Sequence, residues 1–179
     1  MENNDITTRS MEHRDLKLVH KWRNDPRVRR HMFSPKLISS NDHAAWFETN
    51  SNDAKCHLLL VLKNDVPFGF AQFKLSNCKT VADWGFYVDP SGPKGQGSYL
   101  GQAILSFGYE TLRLHRVTGQ VLNDNQSSIE LHKRLGFTSE GILRSHHLTE
   151  QGYKDVHFFG LLSVDWANRY SRMNLNLST

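Results

Sequence analysis

Between Trp84 and Leu105 the chain reads WGFYVDPSGPKGQGSYLGQAIL: a strand-like start, a bend rich in glycine and proline, and a helix-like finish. A strand that passes into a helix through such a bend belongs in a fold that mixes sheet and helix. Gly95 and Gly97 let the backbone turn without a Cβ clash, so successive N–H groups can converge on an anion. The first turn of the helix, from Ser98, adds donors without internal partners and the positive end of the helix dipole. Lys94 supplies charge beside them. The same residue types also make an ordinary surface turn.

The rest of the chain supplies the layers. ITTRSM is a short opening strand, and HRDLKLVHKWRND carries Leu16, Val19 and Trp22 at helical spacing before a stop at Pro26. SNDHAAWFETNS is a second, shorter helix, with N-cap candidates from Ser40 to Asp42. HLLLVLK and FGFAQFKL flank NDVP, a hairpin signal, and VADWGFYVD follows as a third strand. After the glycine bend, Leu100, Ala103, Ile104 and Phe107 share one helical face, which Leu114 extends. RVTGQVLN is a strand. A helix from about Ser128 to Leu135 follows it, with Ser127 and Glu130 as a capping box and Gly136 as C-cap. EGILRSHHL and KDVHFFGLLSV close the chain as two strands. The order predicts an α/β (α+β) fold with one mixed sheet, because hairpin-linked strands precede two helical crossovers. A chain of 179 residues forms a single domain, 1–179.

With 38% apolar and 11% aromatic residues the chain can close a core. The formal charge is +4, with basic residues gathered in RNDPRVRRH and LHKRLGF. This suits a small phosphate-bearing ligand; no basic run interleaved with aromatics marks a base-stacking surface, so no nucleic-acid partner is expected. Cys56 and Cys78 stand in no metal-ligand or CxxC spacing and are read as ordinary thiols. His146 and His147 are adjacent, so a strand points them to opposite faces, a poor metal site, and no metal is expected. MENNDITTRSMEHRD has no apolar core. No apolar run reaches the roughly 18–20 residues of a membrane span, which predicts a cytoplasmic protein with no membrane partner.

Three phosphate-binding loops compete for the glycine bend. A P-loop ends in Gly-Lys-Ser/Thr, whereas Gly97 is followed by Ser98 and Tyr99. A dinucleotide loop on Gly95, Gly97 and Gly101 would be separated from its strand by Asp89 to Lys94, and no acidic residue closes the next strand at Leu122. The third is the Gln/Arg-x-x-Gly-x-Gly/Ala loop of the GNAT N-acetyltransferases. GPKGQG resembles it, with Gly92 in the place of the first side chain and Pro93 lacking an N–H. Downstream, VLNDNQSSIELHKRLGF resembles the family's Asn-x-x-Ser/Ala-x-x-Leu-Tyr-x-Lys-Leu-Gly-Phe segment, and the element order is that of the same fold.

The resemblance implies a mostly antiparallel sheet with helices on both faces and a splayed strand pair holding acetyl-CoA as co-substrate. Phe86, Tyr87 and Val88 would bond the pantetheine amides, as one strand pairs with another. The N–H groups of Lys94, Gly95, Gln96, Gly97 and Ser98 would take the pyrophosphate, and Asn125 the pantetheine arm. The amine would attack the thioester directly, so neither cysteine is required. His132 stands where the family carries a tyrosine that protonates the leaving thiol; an imidazole N–H can do this or merely orient the thiol. Gln120 stands where some members carry a glutamate base, and it cannot take a proton. A base would then be Asp83 or a water held by Gln120, unless the amine arrives deprotonated.

KWRNDPRVRRHMF, SSNDHAAWF, the HKRLGF segment and EGILRSHHL to KDVHFFGLL resemble one branch of the family, which acetylates a nucleotide sugar on the route to pseudaminic acid. That implies, as acceptor, the 4-amino group of a UDP-linked 4-amino-4,6-dideoxy-N-acetyl-altrosamine. Arg30 and His43 would bond phosphate or base, while Met32, Trp46 and Phe47 would wall the ring. Trp22, Trp46 and Phe47 also have the spacing of core residues. Other readings stay open: a protein N-terminus, a polyamine or antibiotic, and a non-catalytic CoA- or nucleotide-binding module. Net basic first helices disfavour a polyamine. A homodimer is left open.

Overall fold

The run CHLLLVLK is apolar at nearly every position, which suits a strand covered on both faces. It forms β2 (Cys56–Lys63), and its side chains alternate between two cores, Leu59 and Val61 in one and Leu58, Leu60 and Leu62 in the other. The computed structural model describes residues 5–175, with side chains as far as Arg169. Around β2 runs a seven-stranded sheet in the order β1-β2-β3-β4-β5-β7-β6. Its other strands are β1 (Ile6–Ser10), β3 (Val66–Leu75), β4 (Val81–Val88), β5 (Arg116–Leu122), β6 (Thr138–Thr149) and β7 (Gly152–Leu162). On one face, α1 (Leu16–Asn24) and α3 (Ser40–Ser51) bury Val19, Trp22 and Phe47, with the one-turn α2 (Pro26–Arg29) between them. On the other, α4 (Gln96–Ser106), α5 (Gln126–Leu135) and α6 (Ser163–Leu175) bury Leu100, Ile104, Ile129, Leu135 and Trp166. The fold is the expected mixed, mostly antiparallel one with helices on both faces.

One pairing sets up the site. All neighbours in the sheet are antiparallel except β4 and β5, which run parallel and pair only through Val81, Ala82 and Asp83 with Arg116, Val117 and Thr118. Past that point β4 continues to Val88 on β3, and β5 to Leu122 on β7. The sheet therefore forks. Helices α4 and α5 close over the fork, and Gly101 permits their approach: a Cβ there would lie 2.5 Å from Leu135 Cδ1.

Several local expectations are corrected. The first helix does stop before Pro26, at Asn24, but Pro26 also opens the unforeseen one-turn α2 at its first helical position, where its missing N–H costs nothing, behind an Asp25 cap. The Asn64–Asp65 turn takes φ of 49° and 63°, so Val66 and Pro67 begin β3 instead of belonging to the bend. Helix α4 starts two residues before Ser98 and ends at Ser106; a π turn follows, and Leu114 is buried from the loop beyond it. The cap of α5 is Asn125, whose Oδ1 accepts from Ser128 N at 3.2 Å, and not Ser127. Glu130 turns outward to Lys133 at 2.8 Å. The closing strand stops at Leu162, and a helix unforeseen in the sequence, α6, follows with Asp165 in its first turn. Cys56 is buried and Cys78 exposed, both free. Among the described residues no helix is long and apolar enough to cross a membrane, and no cluster of three or more His, Cys, Asp or Glu is suited to a metal.

Candidate active site

The glycine bend becomes the N-terminus of α4. Gly95 caps the helix at φ +93°, and a Cβ there would meet nothing within 4 Å, so the backbone and not the available space demands glycine. Ser98 N donates to Gly95 O at 3.1 Å. Gly95, Gly97 and Ser98, in a first turn whose amides lack helical partners, line a groove together with Phe86, Tyr87, Val88, Asn125 and Leu131, and with Arg27 and Arg134. Neither Lys94 nor the Gln96 side chain walls this groove; Gln96 folds against Gly92, with its Oε1 buried and unpartnered. The fit to a coenzyme pyrophosphate thus rests on amides and a Cβ-free bend. Asn125 Oδ1 is spent on Ser128 N and Ser127 Oγ.

Deeper in, the groove enters the fork, where Asp83, Trp84, Phe86, Gln120, Ser128 and His132 line one continuous cleft. Asp83 Oδ1 accepts from the Thr118 hydroxyl beside the last paired residues. His132 is only 2% exposed. Its Nδ1 lies 2.8 Å from Ser128 O, and Trp84 Nε1 donates to its Nε2 at 3.1 Å. A carbonyl can only accept and an indole N–H can only donate, so the ring is the Nδ1–H tautomer with both nitrogens engaged. Burial pushes its pKa down to about 4, the Ser128 carbonyl opposing weakly. The expectation of a free N–H for the leaving thiol meets a ring that has none.

Beyond the fork lies a cavity of about 290 Å³ lined by Arg23, Met32, His43, Trp46, Phe70 and Tyr87, among others. The rings follow one another: His43 to Trp46 at 5.1 Å, Trp46 to Phe70 at 5.9 Å, Phe70 to Tyr87 at 5.1 Å. Burial, then the charges of His20 and Arg23, holds His43 down to about 4, hence neutral. Arg23 Nη2 donates to Ser34 O at 2.7 Å, whereas its Nη1 is buried without a partner. Burial lowers the guanidinium's pKa, and no carboxylate among the described residues lines this cavity. Arg30 stands back from it, donating from Nε to His31 Nε2 at 3.1 Å, and His31 Nδ1 is left as a second buried, unpartnered atom on the cleft wall. Phe47 sits in the core against His13, not at the cavity.

The family profile described as "Acetyltransferase (GNAT) domain" matches residues 5–138. The chain belongs to the GNAT acetyltransferases. It is an acetyl-CoA-dependent N-acetyltransferase of that type. Among curated proteins it is 26% identical to "Acetyltransferase PseH" of Campylobacter jejuni over 69% of this chain and 77% of that one. It is 21% identical to a spermidine N(1)-acetyltransferase of Vibrio cholerae over 93% and 98% of the two chains. Among solved structures, the spermidine N-acetyltransferase of Vibrio cholerae in complex with CoA and spermine superposes at TM-score 0.83, with 20% identity and coverage of 90% and 98%. At that identity the superposition speaks for the fold alone.

Within this acetyltransferase, the residues expected from the sequence that come together are Met32, His43 and Trp46 in one cavity, and Phe86 to Val88 with Gly95, Gly97, Ser98 and Asn125 around one groove. It missed Arg23, His31 and Trp84. Arg23 and Trp84 lie inside apolar-patterned stretches that read as helix and strand, and no sequence signal marks a nitrogen left without a partner.

Proposed function

We propose that this acetyltransferase transfers the acetyl group of acetyl-CoA to the 4-amino group of a UDP-linked amino sugar. The observation that carries the reading is Arg23, a partly buried guanidinium whose Nη1 is buried without a partner, facing a cavity without carboxylates. A cation so placed favours an anionic acceptor such as a nucleoside diphosphate and disfavours a polyamine, which would add positive charge. Trp46, Phe70 and Tyr87 offer ring faces to a planar base. The likeness to PseH supports the same reading.

In this scheme the α4 amides hold the pyrophosphate, the β4 backbone from Phe86 to Val88 pairs with the pantetheine, and the Asn125 amide nitrogen reaches its carbonyl. The amine nitrogen attacks the thioester carbon; a C–N bond forms, the C–S bond breaks, nitrogen gives up one proton and sulfur gains one. Arg23 also helps the attack: a like charge lowers the amine's pKa and enlarges its neutral fraction. Asp83 and Gln120 line the fork as sites for the water that takes the proton. A solved Vibrio cholerae neighbour is described as dodecameric, and a homodimer or larger assembly of this chain is part of the proposal, read by sedimentation; a monomer at all concentrations removes it.

The test is thiol release from acetyl-CoA with a panel of amines: a UDP-linked 4-amino sugar, an N-terminal peptide and spermidine. The sugar is expected to be turned over and the others to be inert. Turnover of spermidine or peptide without the sugar overturns the nucleotide-sugar reading.

A further inference from the structure

The family pattern puts a proton donor at position 132, and in this chain the position is filled by a ring with no N–H free for the thiol. Ser128 O takes the only N–H, and the lone pair on Nε2 is covered by the Trp84 indole. A second proton on Nε2 would set two N–H groups against each other inside a wall of Phe86, Phe137 and Phe159, whose centroids lie 5.9, 4.9 and 4.8 Å away. The titratable groups around the cleft do not bond this ring: Asp83 on β4 takes the Thr118 hydroxyl, Arg23 and His31 line the same cleft but bond Ser34 O and Arg30, and His157 on β7 stacks behind Phe159.

The bond from Trp84 to His132 has a particular place in the fold. Trp84 is the first residue of β4 beyond the last β4–β5 pair, Asp83 with Thr118, and Gly119 follows on β5. A Cβ on Gly119 would fall 2.5 Å from His132 Nε2 and 2.8 Å from Trp84 Nε1, so the bond rests directly on that glycine. Phe137 stacks on the indole at 5.2 Å from its other side. The crotch of the fork is thus built from three side-chain positions on β4, β5 and α5.

We infer that His132 is a positioning residue: with Trp84 and Gly119 it pins α5 to β4 where the strands part, fixing where the thioester lies, and the departing sulfur takes its proton from the attacking amine. The C–N bond forms as the C–S bond breaks, and the one proton lost by nitrogen reaches sulfur directly or through a water in the fork. This rests on the acetyltransfer reading but not on which amine is acetylated.

The test joins ring spectroscopy to kinetics. In ¹⁵N spectra of the wild-type protein, His132 should keep a protonated Nδ1 and a bare Nε2 between about pH 5 and 8. His132→Gln, which can accept from Trp84 but cannot supply a proton, should keep kcat within about threefold, with an unchanged pH profile. His132→Phe and Trp84→Phe should each lose about tenfold or more in kcat, and the double variant should fall little further, because the two act as a unit. Calorimetry with CoA identifies variants that remain folded. A doubly protonated ring or an Nε2–H tautomer overturns the inference. So does a His132→Gln protein that binds CoA normally yet loses as much turnover as His132→Phe. Wild-type protein that releases no thiol with any amine sinks the acetyltransfer reading instead, and the ring spectrum still decides the tautomer.

Discussion

Arg23 and His43 line the same cavity with different electrical characters, one a partly buried cation, the other a neutral imidazole. In the proposed function the pair would read the acceptor by charge on one side and by hydrogen bonding on the other. Arg23→Gln keeps a donor and removes the charge. It should raise KM for the UDP-linked acceptor by about 10- to 100-fold, the worth of a charge-assisted bond, with KM for acetyl-CoA nearly unchanged. Steady-state kinetics with each substrate varied in turn checks this, and equal effects on both would show that the substitution had merely loosened the fold. Residues of this kind are only half legible in a sequence. The segment around Arg23 could be named as part of the acceptor wall, but the burial of one nitrogen depends on a carbonyl eleven residues away at Ser34. His132 could be placed by its motif, whereas its tautomer is decided by an indole 48 residues earlier.

Strands and helices were more readable than side-chain states, because periodicity survives where partners are unknown. β2, β3 and β4 announce themselves by apolar, β-branched and aromatic runs broken at turns. The helix after the glycine bend follows from the spacing of Leu100, Ile104 and Phe107. What escaped was the end of β7: the expected strand runs on through Ser163 and Val164, whereas the strand stops at Leu162 and α6 begins at Ser163. The cap of α5 escaped for another reason: Asn125 and Ser127 are both good caps, and only the backbone direction leaving β5 chooses between them. The bend before α4 carries its own prediction. Gly95→Ala meets no atom, so its cost is the left-handed conformation alone, about 1–2 kcal/mol. If the bend holds the diphosphate, most of that cost should appear as a several-fold rise in KM for acetyl-CoA, with kcat little altered. An unchanged KM would place the coenzyme elsewhere.

Stability belongs to the molecule as a whole and responds to protons through both buried imidazoles. His43 and His132 are 3% and 2% exposed, and each is held down to about 4 by burial, below the ordinary 6.5. Unfolding lets them take protons that the native protein refuses. Their contribution is therefore complete above pH 6.5 and drains away as the pH falls toward 4, by at most about 1.4 kcal/mol per pH unit for each group. Urea midpoints measured from pH 7 down to 4.5 should fall accordingly, and His132→Gln should remove about half of that slope. A flat profile would mean that these rings are hydrated in the native protein.

The sheet holds a further consequence in the order of its parts. Every residue lining the cavity proposed for the acceptor falls between Arg23 and Tyr87, ahead of the glycine bend, while α4 and α5, which close over the fork, lie behind it. In the proposed scheme the amine is chosen by the leading stretch, which also carries the β4 backbone that pairs with the pantetheine, while the diphosphate bend and α5 follow, joined to it through a three-rung seam. Chimaeras that exchange the leading stretch between relatives should carry the donor's taste in amines with them and leave the thioester machinery of the recipient at work.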